Sequence, residues 1–246
     1  MANGFDPRAT ARPQPDTAGV GREGVAYDAG LRSHMLSVYN YMASGVLLTG
    51  VVALLFAMSG MAEQLFFNGG ILKYVVIFSP LLMVFFLAAR ANHMSVPGLQ
   101  IFYWGFATLM GLSMSVIPLI YSGTSIAATF FATAAAFVSL SLWGYTTKKD
   151  LSGFGTFLLM GLVGLIVAMV VNLFIRSDTM SLVISFLGVL LFAGLTAYDT
   201  QKIKSIYFQV AGSDMLGKAA ILGALTLYLD FINMFQFLLS FMGSRD

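Results

Sequence analysis

Residues 154–175 read FGTFLLMGLVGLIVAMVVNLFI, and this stretch decides the class of fold. It holds no charged side chain over its whole length. A helix of this length rises about 33 Å at about 1.5 Å per residue, which matches a hydrocarbon core about 30 Å thick. Because backbone amides in lipid must find partners within their own segment, we expect a transmembrane helix here.

Six further apolar blocks of similar length accompany this one. The predicted spans are Leu36–Ser59, Ile71–Ala89, Leu99–Tyr121, Ser125–Tyr145, Phe154–Ile175, Met180–Tyr198 and Ala219–Met242. The composition agrees, since 10% of the residues are charged whereas soluble domains carry about 25%. The sequence therefore predicts an all-α membrane protein with seven transmembrane helices. Pro80 and Pro118 lie inside the second and third spans, where proline is expected to kink a helix.

The first 34 residues differ from the rest of the chain. They hold Pro7, Pro13 and Pro15, several Gly and Arg, and few large apolar side chains. This composition predicts a disordered tail over 1–34, followed by a transmembrane domain over 35–246. The first 30 residues contain no apolar core of a signal peptide.

Lys and Arg divide unequally between the two sides of the predicted bundle. Ten of the 13 lie on the tail and on the loops of its side, while Lys73, Arg176 and Arg245 lie on the other. Basic residues favour the cytoplasmic side, so the N-terminus is predicted to be cytoplasmic. Seven spans would place the C-terminus outside, although charge alone leaves open a seventh segment that re-enters.

Two classes of function are excluded by composition. The net charge of +2, without a basic stripe interleaved with aromatics, argues against a nucleic-acid partner. The absence of cysteine removes disulfides, thiolate nucleophiles and cysteine-ligated metal sites. Nothing in the sequence indicates a bound cofactor.

Asp230 lies about 16 Å along the last span at about 1.5 Å per residue. An aspartate at the centre of a membrane helix costs about 2.5–3.5 kcal/mol on insertion scales, so a position facing lipid is disfavoured. Thr226, Asp230 and Asn233 fall at i, i+4 and i+7 and form one polar stripe that should face the bundle interior. The carboxyl could serve an ion pathway, or it could bond a neighbouring helix without any role in transport.

Asp199 ends the sixth apolar run, which is short for a full crossing. The helix is therefore expected to continue through Asp199 and Gln201. Spans six and seven then form a hairpin with both acids in its cytoplasmic half. Arg90 ends span two on the same side, where it is either an ordinary membrane anchor or a counter-ion for the acids.

Two carboxyls in a low dielectric cannot both ionise cheaply, so Asp199 and Asp230 could share one proton and act as a pH-dependent latch. Once deprotonated, they would offer hard oxygens to a cation. Two carboxylates fall short of the roughly six to eight oxygens that calcium takes. Such a metal site would be weak and transient, which suits passage of the ion better than storage.

An enzyme is disfavoured. An intramembrane aspartyl protease carries Gly-x-Gly-Asp at its second aspartate, whereas this chain has the bulky Leu227, Tyr228 and Leu229 before Asp230. A serine protease needs a histidine facing the serine within the spans. His34 and His93 are both predicted at the membrane interface.

Four stretches resemble the Bax inhibitor-1 family, in its bacterial branch, and the resemblance covers residues 30 to 243. They are GLTAYDTQKI from Gly194, GALTLYLDFINMF from Gly223, LWGYTTKKDLSG from Leu142 and RANHMS from Arg90.

The resemblance implies a seven-helix bundle with the last helix at its centre, in a bacterial inner membrane. It implies a pH-sensitive calcium leak in which Asp199, of the Tyr198-Asp199 motif, and Asp230 form a hydrogen-bonded pair. Arg90 is the best candidate for the family's arginine from span two, with Tyr198, Thr226 and Asn233 as supporting polar residues. Other bacterial members regulate a membrane-bound ATP-dependent protease, and that non-enzymatic role, using the tail, is the alternative.

Overall fold

The computed structural model describes residues 17–244, with side chains from residue 29 onward except that of Asn92. Seven helices in this part of the chain are long and apolar enough to cross a membrane. The helices are α1 (Thr17–Met58), α2 (Met61–Glu63), α3 (Leu72–Arg90), α4 (Val96–Met114), α5 (Ile117–Ile120), α6 (Gly123–Thr146), α7 (Ser152–Ile175), α8 (Asp178–Val210) and α9 (Leu216–Met242). A π-helical turn over Gln64–Asn68 follows α2, and a 3-10 turn over Ala91–His93 follows α3. The prediction of an all-α membrane protein with seven spans is confirmed.

Helix α9 forms the centre of the bundle, packed against α8, α1, α6 and α4. On one side the ring of Tyr228 meets Tyr103 and Phe106 of α4 edge-on. On the other side Phe231 meets Phe130 and Phe137 of α6 in the same way. Large aromatic groups thus fix α9 between its neighbours.

Helices α8 and α9 form the predicted hairpin. Helix α8 runs for 33 residues, about 50 Å at about 1.5 Å per residue, so it extends well beyond a hydrocarbon core of about 30 Å. The prediction that it continues past Asp199 and Gln201 is confirmed. The turn to α9 contains Gly212, whose φ of 78° favours a residue without a side chain.

The side chain of Gln201 ties α8 to the start of α7. Its Nε2 donates to the carbonyl of Lys149 at 2.8 Å. Its Oε1 accepts from the backbone N–H of Leu151 at 2.9 Å. One side-chain amide thereby holds the last residues of the α6–α7 loop, directly before α7.

Helix α1 begins earlier than predicted. It starts at Thr17, and Leu31 and His34 are already buried in the bundle. The predicted boundary at residue 34 therefore falls within a helix, because a helix nucleated in the apolar span extends readily through the Ala, Glu and Arg residues before it. Predicted disorder of residues 1–16 lies outside the described residues.

The two prolines within spans behave differently. The third span breaks after Met114, and Pro118 lies in the first turn of the short α5. Helix α3 instead runs unbroken through Pro80. Pro80 has no N–H for the carbonyl of Val76, four residues earlier, and the hydroxyl of Ser79 donates to that carbonyl at 2.9 Å. A neighbouring side chain thus replaces the missing donor.

Basic side chains collect at the end of the bundle where the α8–α9 turn lies, which we term the basic end. They are Arg32, Arg90, Lys148, Lys149, Lys202, Lys204 and Lys218. Lys73 and Arg176 lie at the opposite end, and Arg245 is outside the described residues.

Candidate functional site

Asp199 of α8 and Asp230 of α9 meet between the two helices, with their carboxyl groups within hydrogen-bonding reach of each other. Their side chains are 9% and 4% exposed. The hairpin therefore brings together the two acids singled out in the sequence. Both face protein, and the price of a carboxyl facing lipid is avoided.

One oxygen of Asp230 lacks an ordinary partner. Its Oδ2 is enclosed, and no hydrogen-bond donor among the described residues reaches it. Two ionised carboxylates in contact would repel strongly in this low dielectric. A single proton held between the two groups gives Asp230 a partner and removes that repulsion.

Small residues bring the helices close enough for this contact. Gly223 of α9 lies against Ile203 of α8, where an added Cβ would stand 3.2 Å from that side chain. Gly144 of α6 lies directly on the backbone of Ala197, two residues before Asp199. Close approach through glycine is typical of membrane helices, and here it sets α8 against both neighbours.

A cavity of about 250 Å³ leads from the α8–α9 turn towards Asp199. Its walls include Lys202, Lys218, Leu222 and Thr226. Lys202 also supplies the positive charge that acts on Asp199. The carboxyl pair is thus approached from the basic end of the bundle.

The predicted supporting residues lie close to the pair in sequence but have other partners. Thr226 lines the cavity and donates to the carbonyl of Leu222 at 3.1 Å. Asn233 donates to the carbonyl of Leu229 at 2.8 Å. Each of the two bonds its own helix.

Tyr198 is half-buried, and its ring packs against Gly155 of α7. The ammonium of Lys202 stands 6.0 Å from the centre of that ring. The Tyr198 side chain thus contacts α7 and Lys202.

Arg90 is not brought to the carboxyl pair. It is exposed at the last residue of α3, and α3 packs chiefly against α4, at the edge of the bundle. The cation near Asp199 is Lys202, from the same helix. The end of the bundle at which Arg90 lies agrees with the sequence analysis, whereas the neighbours of its helix were not predicted.

A chain of three hydroxyl groups, not predicted from the sequence, lies beside the site. Thr200 donates to the carbonyl of Thr196 at 2.7 Å, so it accepts from Ser141 at 2.9 Å. Ser141 in turn accepts from Tyr39 at 2.7 Å. The chain links α1, α6 and α8 at the residue after Asp199. Its only signal in the sequence is three hydroxyls inside apolar blocks.

A second buried contact ties α9 to α1 and α4. Thr49 donates to the carbonyl of Ala107 at 2.9 Å, which leaves Tyr228 as the donor in its 2.6 Å bond to Thr49. The hydroxyl hydrogens of Thr49 and Tyr228 are therefore both donated in hydrogen bonds. Tyr228 precedes Asp230 by two residues, so this contact fixes the helix just before the acid.

His34, predicted at the membrane interface, is buried instead. Its ring centre lies 5.3 Å from that of Tyr207 on α8, and its Nε2 has no partner among the described residues. The early start of α1 carries His34 into the bundle near the basic end.

Residues 29–244, Asn92 aside, contain no group of three or more His, Cys, Asp or Glu side chains that could hold a metal ion. The carboxyl pair supplies at most two such groups. Oxygen ligands from water or backbone would be needed to complete a calcium shell of about six to eight.

Comparison with known proteins gives consistent matches along nearly the whole chain. A family model described as inhibitor of apoptosis-promoting Bax1 matches residues 31–246. Uncharacterized protein RP147 of Rickettsia prowazekii is 46% identical over 220 residues, covering 89% of this chain and 92% of that protein. Inner membrane protein YbhL of Escherichia coli is 42% identical over 219 residues, covering 88% and 94%. A relative from Caulobacter vibrioides is 44% identical over 233 residues, covering 91% and 93%.

Proposed function

Because this chain belongs to the Bax inhibitor-1 family, we propose that it is a pH-sensitive cation leak gated by Asp199 and Asp230. Calcium is the favoured permeant ion. The observation that carries the proposal is the buried contact between the two carboxyls, with one oxygen of Asp230 that no donor among the described residues reaches. Intramembrane acids of this kind mark ion or proton pathways in membrane proteins.

The shared proton holds the gate closed. With one proton between them, the carboxyls bridge α8 and α9 by a strong O–H to O⁻ hydrogen bond. The bridge lies at the inner end of the cavity that leads from the basic end. The bridge therefore blocks the route between α8 and α9.

Loss of the proton changes both the packing and the chemistry. Two adjacent negative charges repel each other, which favours separation of α8 from α9. The same oxygens then become ligands for a hard cation that enters through the cavity. Because water completes most of the shell, binding is weak and the ion can leave again.

The basic end is assigned to the cytoplasm, in an inner membrane. The excess of Lys and Arg at that end supports the orientation. The name of the Escherichia coli relative supports the location. In this orientation the cavity connects the carboxyl pair to cytoplasmic pH.

Calcium flux into proteoliposomes, measured across a pH series, tests the proposal. The wild-type protein is expected to show flux that varies with pH. In Asp230→Asn the amide donates to Asp199 at every pH, so the bridge persists and the pH dependence should vanish. Asp199→Asn should also remove the pH dependence, because its amide can donate to Asp230 at every pH.

Asp178→Asn is the matched control. Asp178 is exposed on the same helix as Asp199 but at the opposite end, so this variant should keep the wild-type profile. Absence of any pH-dependent flux in the wild type, or an unaltered profile in Asp230→Asn, rejects the gate.

The alternative role, regulation of a membrane-bound ATP-dependent protease, stays a prediction. Truncation of the N-terminal tail distinguishes it from the leak. Deleting residues 1–28 removes most of the basic tail and keeps the buried Leu31 and His34. A leak gated by the acids should survive this deletion. A regulator that engages its protease through the tail should lose its effect on that protease while Asp230→Asn retains it.

A further inference from the structure

Helices α1 and α6 both pack on α9 but leave an open crevice between them. This α1–α6 crevice has a volume of about 740 Å³. Phe231 of α9 contributes to its floor, Ala43 and Leu47 belong to the α1 wall, and Ala134 and Val138 belong to the α6 wall. The surface is apolar and concave, and it opens to the side of the bundle, where lipid would lie.

The mouth of the crevice at the basic end is positively charged. Arg32, on α1, lines it and is exposed. On the other wall, Tyr145 receives a hydrogen bond at its carbonyl from the ammonium of Lys204 at 2.9 Å. That ammonium also stands 5.1 Å from the centre of the Tyr145 ring. Arg32 is thus the cation that lines this end of an otherwise apolar slot, and Lys204 lies next to its Tyr145 wall.

The length of the crevice matches one leaflet of a bilayer. From Met35 to Leu47, both of which line it, α1 rises about 18 Å at about 1.5 Å per residue. Half of a hydrocarbon core is about 15 Å. A chain that enters at the basic end therefore reaches the middle of the membrane at the inner end of the slot.

We propose that the α1–α6 crevice is a binding site for an anionic phospholipid of the leaflet at the basic end. One acyl chain lies between α1 and α6 over Phe231, and the phosphate pairs with Arg32 at the mouth. A basic pocket between membrane helices is the arrangement that selects anionic headgroups. A second copy of the chain would need a protruding helix face, whereas this surface is a slot with charge at one end only.

Native mass spectrometry of the full-length protein, delipidated in detergent, tests the headgroup. The protein is titrated with phosphatidylglycerol and with phosphatidylcholine of identical acyl chains. One basic side chain near an anionic lipid is worth about 1 kcal/mol, which is about fivefold in affinity. Phosphatidylglycerol should therefore bind about fivefold more tightly to the wild type.

Arg32→Gln should abolish this preference. Arg90→Gln is the matched control, since Arg90 is also an exposed arginine at the basic end but lies on α3, away from the crevice. The control should keep the preference. Equal binding of the two lipids by the wild type, or an equal loss in the two arginine variants, overturns the proposal, because the charge would then act without a site.

Filling the slot tests the acyl chain. Ala43 is exposed on the α1 wall, and Ala43→Phe should lower the retention of both lipids severalfold. Ala135→Phe places the same ring on an exposed position of α6 outside the crevice and should leave retention unchanged. Retention of both lipids at the wild-type level in Ala43→Phe contradicts the proposal. A wild-type dimer that dissociates in Ala43→Phe also contradicts it and assigns the surface to a second copy.

Discussion

Helices α7 and α9 are both long enough to cross a membrane, but they differ in hydropathy and in how much of each is buried in protein. Helix α7 has a mean hydropathy of 2.7 over its most apolar window, of which 11% is buried in protein. Helix α9 has a mean hydropathy of only 1.5, and 61% of that window is buried. The less apolar helix is the one inside the bundle. In lipid only apolar side chains are tolerated, whereas a helix surrounded by protein can carry polar groups that find partners.

The partners of α9 show what burial permits. Tyr228 donates to Thr49 of α1, and Asp230 meets Asp199 of α8. Helix α7 places its Asn172 near one end, where the side chain bonds Ser177 and Ser181 at the turn into α8. Asn172 of α7 thus stabilises the turn into α8, whereas Tyr228 and Asp230 of α9 contact other helices inside the bundle.

The largest effect is expected from giving α7 an acid like that of α9. Val167 is 56% exposed near the middle of α7. In Val167→Asp a carboxyl would face lipid, at a cost of about 2.5–3.5 kcal/mol for insertion. An insertion assay on the α7 segment within the full chain should show a large fall in the inserted fraction. Val167→Leu should insert as the wild type, and normal insertion of the aspartate variant would mean that α7 faces protein.

A smaller effect is expected from adding one methyl group inside the bundle, where α6 meets α8, and one on the lipid-facing α7. Gly144→Ala drives a Cβ into the backbone carbonyl of Ala197 on α8. Overpacking of this kind costs about 1–3 kcal/mol. Gly164 of α7 has no atom within 4 Å of the added position, so Gly164→Ala should be neutral or slightly stabilising. Unfolding in detergent measures both, and equal stability of the two variants would mean that α6 and α8 are not in close contact.

The smallest effect is expected at the start of α7. Asp150 is exposed, and its Oδ1 accepts from the N–H of Ser152 at 2.9 Å. The Ser152 side chain, and after it this N–H bond, lower the pKa of Asp150 from its usual 3.8. Since the pKa is lower in the folded state, the stabilisation is present above pH 3.8 and is lost as the pH falls through the lowered value.

Asp150→Ala should therefore speed amide exchange of Ser152 at neutral pH without a measurable change in global unfolding. Below the lowered pKa the wild type should keep only the weaker protection that a neutral acceptor gives. Asp150→Asn keeps a side-chain acceptor and should protect the amide at both pH values. Equal exchange in all three proteins at neutral pH would show that the bond does not form.

The class of fold was predictable because lipid imposes a simple rule on composition. Long apolar blocks gave the seven spans, and the short run before Asp199 correctly indicated a helix that continues beyond it. The start of α1 was not predictable, since residues 17–34 are polar enough to read as a tail and still helical enough to extend a span.

Only part of the site was predictable in the same way. An acid in the middle of an apolar block requires a partner, and the hairpin left Asp199 as the nearest one. Arg90 could not be placed, because position along a span says nothing about which helices are neighbours. The hydroxyl chain of Tyr39, Ser141 and Thr200 brings together three helices distant in sequence, and no local pattern encodes that contact.

The two hydrogen bonds of Gln201 have a consequence for motion. Gln201 lies two residues after Asp199, and its amide holds the backbone at the end of the α6–α7 loop, directly before α7. A displacement of this part of α8 that keeps both bonds must carry the start of α7 with it, as one rigid body. A spin label or fluorophore on the outer surface of α7 would then report movements of the carboxyl pair from a position remote from the ion route.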